Sequence, residues 1–192
     1  MPRADAQRNV DALVAAAKEE FAAAGVDVHV RAIAARAGVG TATLYRHFPL
    51  RSDLVAAVFR SEVDACAAAA PRLAAEHRPD EALQLWLERY TELVATKRGL
   101  AAAIFSGDPA FSGLKSYFED NVGPALRSLL DDAVAAGSVR PGVDALDLLG
   151  AVSNLCVPSP DGDDVQRSYR MVGLLVDGLR YGADQRGAGA AQ

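Results

Sequence analysis

Apolar residues recur at steps of three and four along nearly the whole chain, and that period predicts helices that bury one face each. Between residues 8 and 24 the stripe is Val10, Leu13, Val14, Ala17 and Phe21, with Asp11, Lys18 and Glu19 mostly off it. Gly25 closes this first helix. The same reading predicts helices near 30–37, 41–47 and 51–70, then one carrying Leu83, Trp86, Leu87, Tyr90, Leu93 and Val94. A short helix within 97–109 is followed by one from Leu114 to about Val134, and by two more near 145–157 and 165–183. Pro71 is expected to end the fourth helix and Pro124 to kink or divide a later one. No segment alternates with period two and no repeat occurs, so the expected fold is all-α with about nine helices.

Composition removes several classes. With 51% hydrophobic residues, 192 residues can form a packed core. No uninterrupted apolar run is long enough to span a bilayer, and "MPRADAQRNVD" lacks the apolar centre of a signal peptide, so the expectation is a cytoplasmic protein without a membrane partner. Cys66 and Cys156 lie far apart in apolar helical patterns and read as buried thiols, with neither a CxxC pair nor a zinc site. His29, His47 and His77 lie in the N-terminal region or a linker, and no GxSxG, HExxH or phosphate-binding glycine loop is present. Paired acids such as Asp131 and Asp132 fit a helix surface, and Asp161, Asp163 and Asp164 a solvated loop. The expectation is a non-enzyme with no cofactor and no metal.

The net charge of -5 hides an asymmetry. Residues 1–60 hold eight Arg or Lys against six Asp or Glu, whereas residues 61–192 hold twelve against nineteen. A net of +2 therefore faces one of -7, as in a small DNA-facing head on an acidic body.

Within that head, "VRAIAARAGVGTATLYRHFPLR" (residues 30–51) begins as a helix, stops at Gly38 and restarts at once. Two helices joined by a short turn containing glycine make a helix-turn-helix. Ala34 is small where the two helices approach, and Ile33, Ala37, Val39, Leu44 and Phe48 supply a core. The remainder, Thr41, Ala42, Thr43, Tyr45, Arg46 and His47, has the size and polarity that a major groove accepts. The two-helix geometry alone fits an ordinary helical bundle as well.

The surrounding residues discriminate. "IAARAGVG", "TLYRHF" and a basic residue before the next helix resemble the DNA-binding region of the TetR family of bacterial transcriptional regulators, over about residues 8–59. The resemblance implies base-edge contacts from Thr41, Ala42 and Thr43. It implies phosphate contacts from Tyr45 and His47, and from Arg51 where lysine is usual; Arg31 and Arg46 complete the DNA-facing set. Gly40 stands where a serine often caps the recognition helix, and His29 where Ser or Thr is commoner. The implied organisation is a helix-turn-helix domain at 1–51 and an effector-binding and dimerisation domain at 52–192, with the fourth helix linking them.

Three or four base contacts cannot single out one genomic site, so a homodimer on a palindromic operator is expected. The resemblance implies that the last two helices pair with those of a second copy, and Leu149, Val172, Gly173, Val176 and Leu179 form the candidate stripe. Trp86, Tyr90, Phe105, Phe111, Phe118, Asn154 and Cys156 are candidates to line a mostly apolar cavity for a small-molecule effector. The function expected is a ligand-released repressor. The alternative is a helical small-molecule-binding protein without DNA-binding activity.

Overall fold

The computed structural model describes residues 2–100, 107–156 and 164–181. Among them are eight α-helices: α1 (Pro2–Ala24), α2 (Val30–Arg36), α3 (Thr41–His47), α4 (Arg51–Glu76), α5 (Pro79–Gly99), α6 (Leu114–Ala135), α7 (Ala145–Leu155) and α8 (Asp164–Tyr181). A 3-10 turn, Pro109–Phe111, precedes α6, and Asp108 caps it by accepting from the Ala110 N–H at 2.8 Å. The described residues contain no strand, and the fold is all-α. The short helix expected within 97–109 falls largely on residues 101–106, outside the described residues.

Three expected boundaries move. Helix α1 starts at Pro2, well before residue 8, with proline in the first turn where its missing N–H has no helical partner to lose. Pro71 does not end α4, which continues to Glu76. Its ring removes only the bond to the Ala67 carbonyl, and the helix holds because Ala69 and Ala70 are buried and the Trp86 indole donates to the neighbouring Cys66 carbonyl at 2.9 Å. Pro124 likewise lies within an undivided α6, whose residues Val122, Leu126 and Leu129 are buried on one side.

The chain divides into two compact units, one of Met1–Glu62 with Thr96–Tyr117, the other of Val63–Ala95 with Phe118–Gln192. In the first, α1 buries Leu13, Ala17 and Phe21, α2 buries Ile33 and Ala34, α3 buries Leu44, and α4 buries Leu54, Val55, Val58 and Phe59. Each large aliphatic side chain so removed from water contributes about 1.5–3 kcal/mol. Polar ties supplement them: Lys18 on α1 pairs with the buried Glu62 on α4, and the Arg60 guanidinium lies 5.9 Å from the Tyr117 ring centroid.

The second unit is built on Leu83, Trp86, Leu87 and Tyr90 of α5, Leu126 and Leu129 of α6, Leu149 and Val152 of α7, and Val172, Val176 and Leu179 of α8. Asp144 caps α7 by accepting from the N–H groups of Leu146 and Asp147. The segment before α7 is tied to α8 by the Arg140 N–H, which donates to the Leu179 carbonyl at 3.0 Å. No helix among the described residues is long and apolar enough to cross a membrane.

Candidate nucleic-acid interface

The turn between α2 and α3 is closed by main chain. Gly38 adopts φ 68°, a left-handed conformation that glycine enters without a Cβ clash. Its N–H donates to the Ala35 carbonyl at 3.1 Å, and the Val39 N–H reaches back to the Ala34 carbonyl at 3.0 Å. This paired closure is a Schellman motif, which satisfies the last carbonyls of α2 and redirects the chain at once into α3. Gly40 opens α3 without a side-chain cap, its carbonyl accepting from the N–H groups of Thr43 and Leu44.

With Leu44 buried, the rest of α3 turns outward. Ala42, Tyr45 and Arg46 are exposed, Tyr45 by 54%, while Thr41, Thr43 and His47 are half-buried. His47 Nε2 is buried and has no hydrogen-bond partner among the described residues. Arg31, at the first turn of α2, is exposed and, like Arg46, has no ion-pair partner among the described residues. Two other cations of the unit are committed internally. Arg36 reaches Glu19 at 2.8 Å and Glu20 at 2.5 Å, and the Glu20 hydrogen bond, then its charge, raises the guanidinium pKa further. Arg51, expected at a phosphate, is exposed, but its guanidinium donates to the carbonyls of Val26 and Val28, the latter at 2.8 Å.

In the second unit Trp86 and Tyr90 stack with ring centroids 5.9 Å apart and planes 4° from parallel, and Phe118 lies tilted 6.1 Å from Tyr90. The Tyr90 hydroxyl meets Ser153 Oγ at 2.8 Å and the Leu149 carbonyl at 3.4 Å. Burial pushes the phenol up to about 12, against a smaller opposing effect of the Ser153 hydrogen bond. Nearby Cys66 and Cys156, both buried thiols, add to the rise. Asn154 points outward on α7, so the polar partner inside is Ser153, one position earlier. Spacing could have found it, since 149, 153 and 156 share a face that 154 leaves. Phe111 is half-buried and belongs to the first unit; Phe105 lies outside the described residues.

The stripe expected to meet a second copy is turned inward instead. Leu149, Val172, Val176 and Leu179 are buried within the chain's own second unit, against neighbouring helices, and Gly173 is half-buried beside them. The physical reason is that α8 carries apolar residues on two faces, and its β-branched pair takes the core. Leu174 and Tyr181 remain outside, 65% and 78% exposed, as does Leu146 on α7. Space stands open where a Cβ would sit on Gly150, Gly173 and Gly178.

Residues 13–58 match the tetR family of bacterial regulatory proteins, and residues 78–181 match the C-terminal domain of SbtR-like transcriptional regulators. The chain belongs to the TetR family. A TetR transcriptional regulator from Streptomyces coelicolor is 34% identical and superposes with a TM-score of 0.74, over 89% of this chain and 98% of that one. A TetR regulatory protein from Mycobacterium vanbaalenii, also 34% identical, gives 0.72 over 94% and 99%. RolR in complex with resorcinol shares the fold at 21% identity, with a TM-score of 0.54 over 95% and 96%. No match was found among curated protein sequences.

As a TetR-family chain it is a DNA-binding transcriptional regulator, with a ligand-binding C-terminal domain, in a family that is not enzymatic. The two matched segments fall on either side of residues 59–77, and α4 covers all of that interval but its last residue.

Proposed function

We propose that this TetR-family regulator is a repressor that binds a palindromic operator as a homodimer and is released by a small, largely apolar effector. The reading divides the chain into a DNA-binding domain at 1–51 and an effector-binding and dimerisation domain at 52–192. The observation that carries it is the outward face of α3: Ala42, Tyr45 and Arg46 exposed together, with Thr41 and Thr43 beside them, on a helix whose orientation the Gly38 turn fixes. Thr41, Ala42 and Thr43 are assigned to base edges; Tyr45, Arg46, His47 and Arg31 supply donors to phosphates.

A second copy is assigned to the outward faces of α7 and α8. Leu146, Leu174 and Tyr181 offer apolar surface, and the open space at Gly150 and Gly178 permits close helix approach. The effector is assigned to the aromatic interior around Trp86, Tyr90 and Phe118, where Ser153 and the Tyr90 hydroxyl give polar orientation within an apolar wall. Release follows if the effector prefers a conformation that DNA does not, because only differential affinity moves the equilibrium. The likeness to a resorcinol-bound regulator supports a small organic ligand.

The test is selection of duplexes from a random pool by the native protein beside Tyr45→Ala. Enrichment of a palindrome by the native protein and loss of it in the variant, with helicity unchanged, supports the reading. Equal enrichment by both removes α3 from the interface.

A further inference from the structure

We propose that Arg51 is a positioning residue for the reading head: it braces the loop before α2 through that loop's carbonyls, at a helix start where His29 supplies no side-chain cap. The inference rests on the reading of α3 as the helix that docks on DNA. Helix α2 starts at Val30 with His29 in the N-cap position, in an extended conformation (φ -65°, ψ 130°) and with no side-chain hydrogen bond. The loop ahead of it, residues 25–29, is held by few main-chain bonds: Gly25 N–H to the Phe21 carbonyl, Val28 N–H to the Gly25 carbonyl, and Ala32 N–H to the His29 carbonyl. Into this loop comes a side chain from more than twenty residues later. Arg51 Nη1 and Nη2 donate to the carbonyls of Val26 and Val28, so one planar group ties two alternate peptide units.

The other end of the brace is itself fixed. Arg51 is the first residue of α4, and Asp53 holds that start by accepting the Leu50 N–H at 3.0 Å. The start of α4 is therefore tied to the loop that leads into α2, while α3 runs between α2 and α4, bounded by the Gly38 turn and Pro49. A shift of the 25–29 loop would move α2, and with it the Schellman closure on which α3 is aimed. Two departures from the family's common residues, His29 for Ser or Thr and Arg51 for lysine, become one arrangement. A guanidinium fork is preorganised for two carbonyls, whereas a lysine ammonium is a single point donor on a flexible stem.

A brace and a phosphate contact give opposite results when the charge is kept. Full-length native protein, Arg51→Lys, Arg51→Gln and the double variant Arg51→Lys/His29→Ser are titrated with a duplex enriched by the native protein, at several salt concentrations. Expected is an affinity about tenfold weaker in both single variants, with the native salt dependence, and recovery of most of it when serine restores the cap. Binding by Arg51→Lys within about twofold of native, together with a loss of about 0.9 in the salt slope for Arg51→Gln, would overturn the proposal in favour of a phosphate contact. Amide exchange without DNA is the second readout. Faster exchange in Arg51→Lys at Val28 and Ala32, whose N–H groups bond the Gly25 and His29 carbonyls, with Ala32 slowed again by His29→Ser, supports the brace, and unchanged exchange overturns it. If the native protein selects no duplex, the DNA-docking reading fails on its own, and the exchange experiment still decides the brace.

Discussion

Lys18 Nζ lies 2.6 Å from Glu62 Oε1, and Glu62 is only 4% exposed, so a buried carboxylate on α4 is met by a cation rooted on α1. Removing one partner of such a pair costs more than removing a surface pair, although solvent around Lys18 moderates the loss. Lys18→Met should lower stability by about 1–2 kcal/mol, read as a fall of several degrees in Tm. An unchanged Tm would show that the pair contributes nothing to the head.

Gly38 takes φ 68°, where an alanine Cβ meets its own backbone, although no other atom crowds the site. Gly38→Ala should destabilise the head by about 1 kcal/mol and weaken operator binding, while Gly40→Ala, at φ -74°, should carry no such conformational strain. Chemical denaturation of the two variants side by side checks this.

Tyr90 holds its proton to about pH 12 in the folded chain, against 10.0 when exposed. A raised pKa adds stability that is complete below pH 10 and is lost as the pH climbs from 10 towards 12. Across that window the native protein should lose about 2–3 kcal/mol more than Tyr90→Phe, whose ring cannot ionise. Urea midpoints at pH 9, 11 and 12 give the comparison; parallel losses in both proteins would exclude Tyr90 as the source.

Leu174 projects from α8 and contributes nothing to the buried core. Leu174→Glu should convert the proposed dimer to a monomer at micromolar concentration with helicity retained, whereas Val176→Glu should unfold the second unit. Light scattering with circular dichroism separates the two, and a Leu174→Glu protein that stays dimeric would move the interface elsewhere.

The helices were legible because a repeat of three and four persists in the sequence whatever packs against it. The head was legible for a different reason: Gly38, the small Ala34 and the buried Leu44 act within a few residues of one another, so their chemistry is local. What escaped depended on distant partners. Pro71 looks like a terminator until the Trp86 indole and the burial of Ala69 and Ala70 are counted. On α8, periodicity shows that Val172, Val176 and Leu174 are apolar without showing which face turns inward. Arg51 follows the same rule, since carbonyls twenty-three and twenty-five residues earlier decide where its guanidinium goes.

The joint between α2 and α3 is assembled from peptide groups and one left-handed glycine, and the side chains of Thr41, Ala42 and Thr43 take no part in closing it. Under the proposed assignment of those three side chains to base edges, stability and recognition are carried by separate atoms. On that assignment, a lineage bearing this joint can change its target through substitutions at three neighbouring positions while the scaffold stays intact, so new regulatory circuits lie a few point mutations away from old ones.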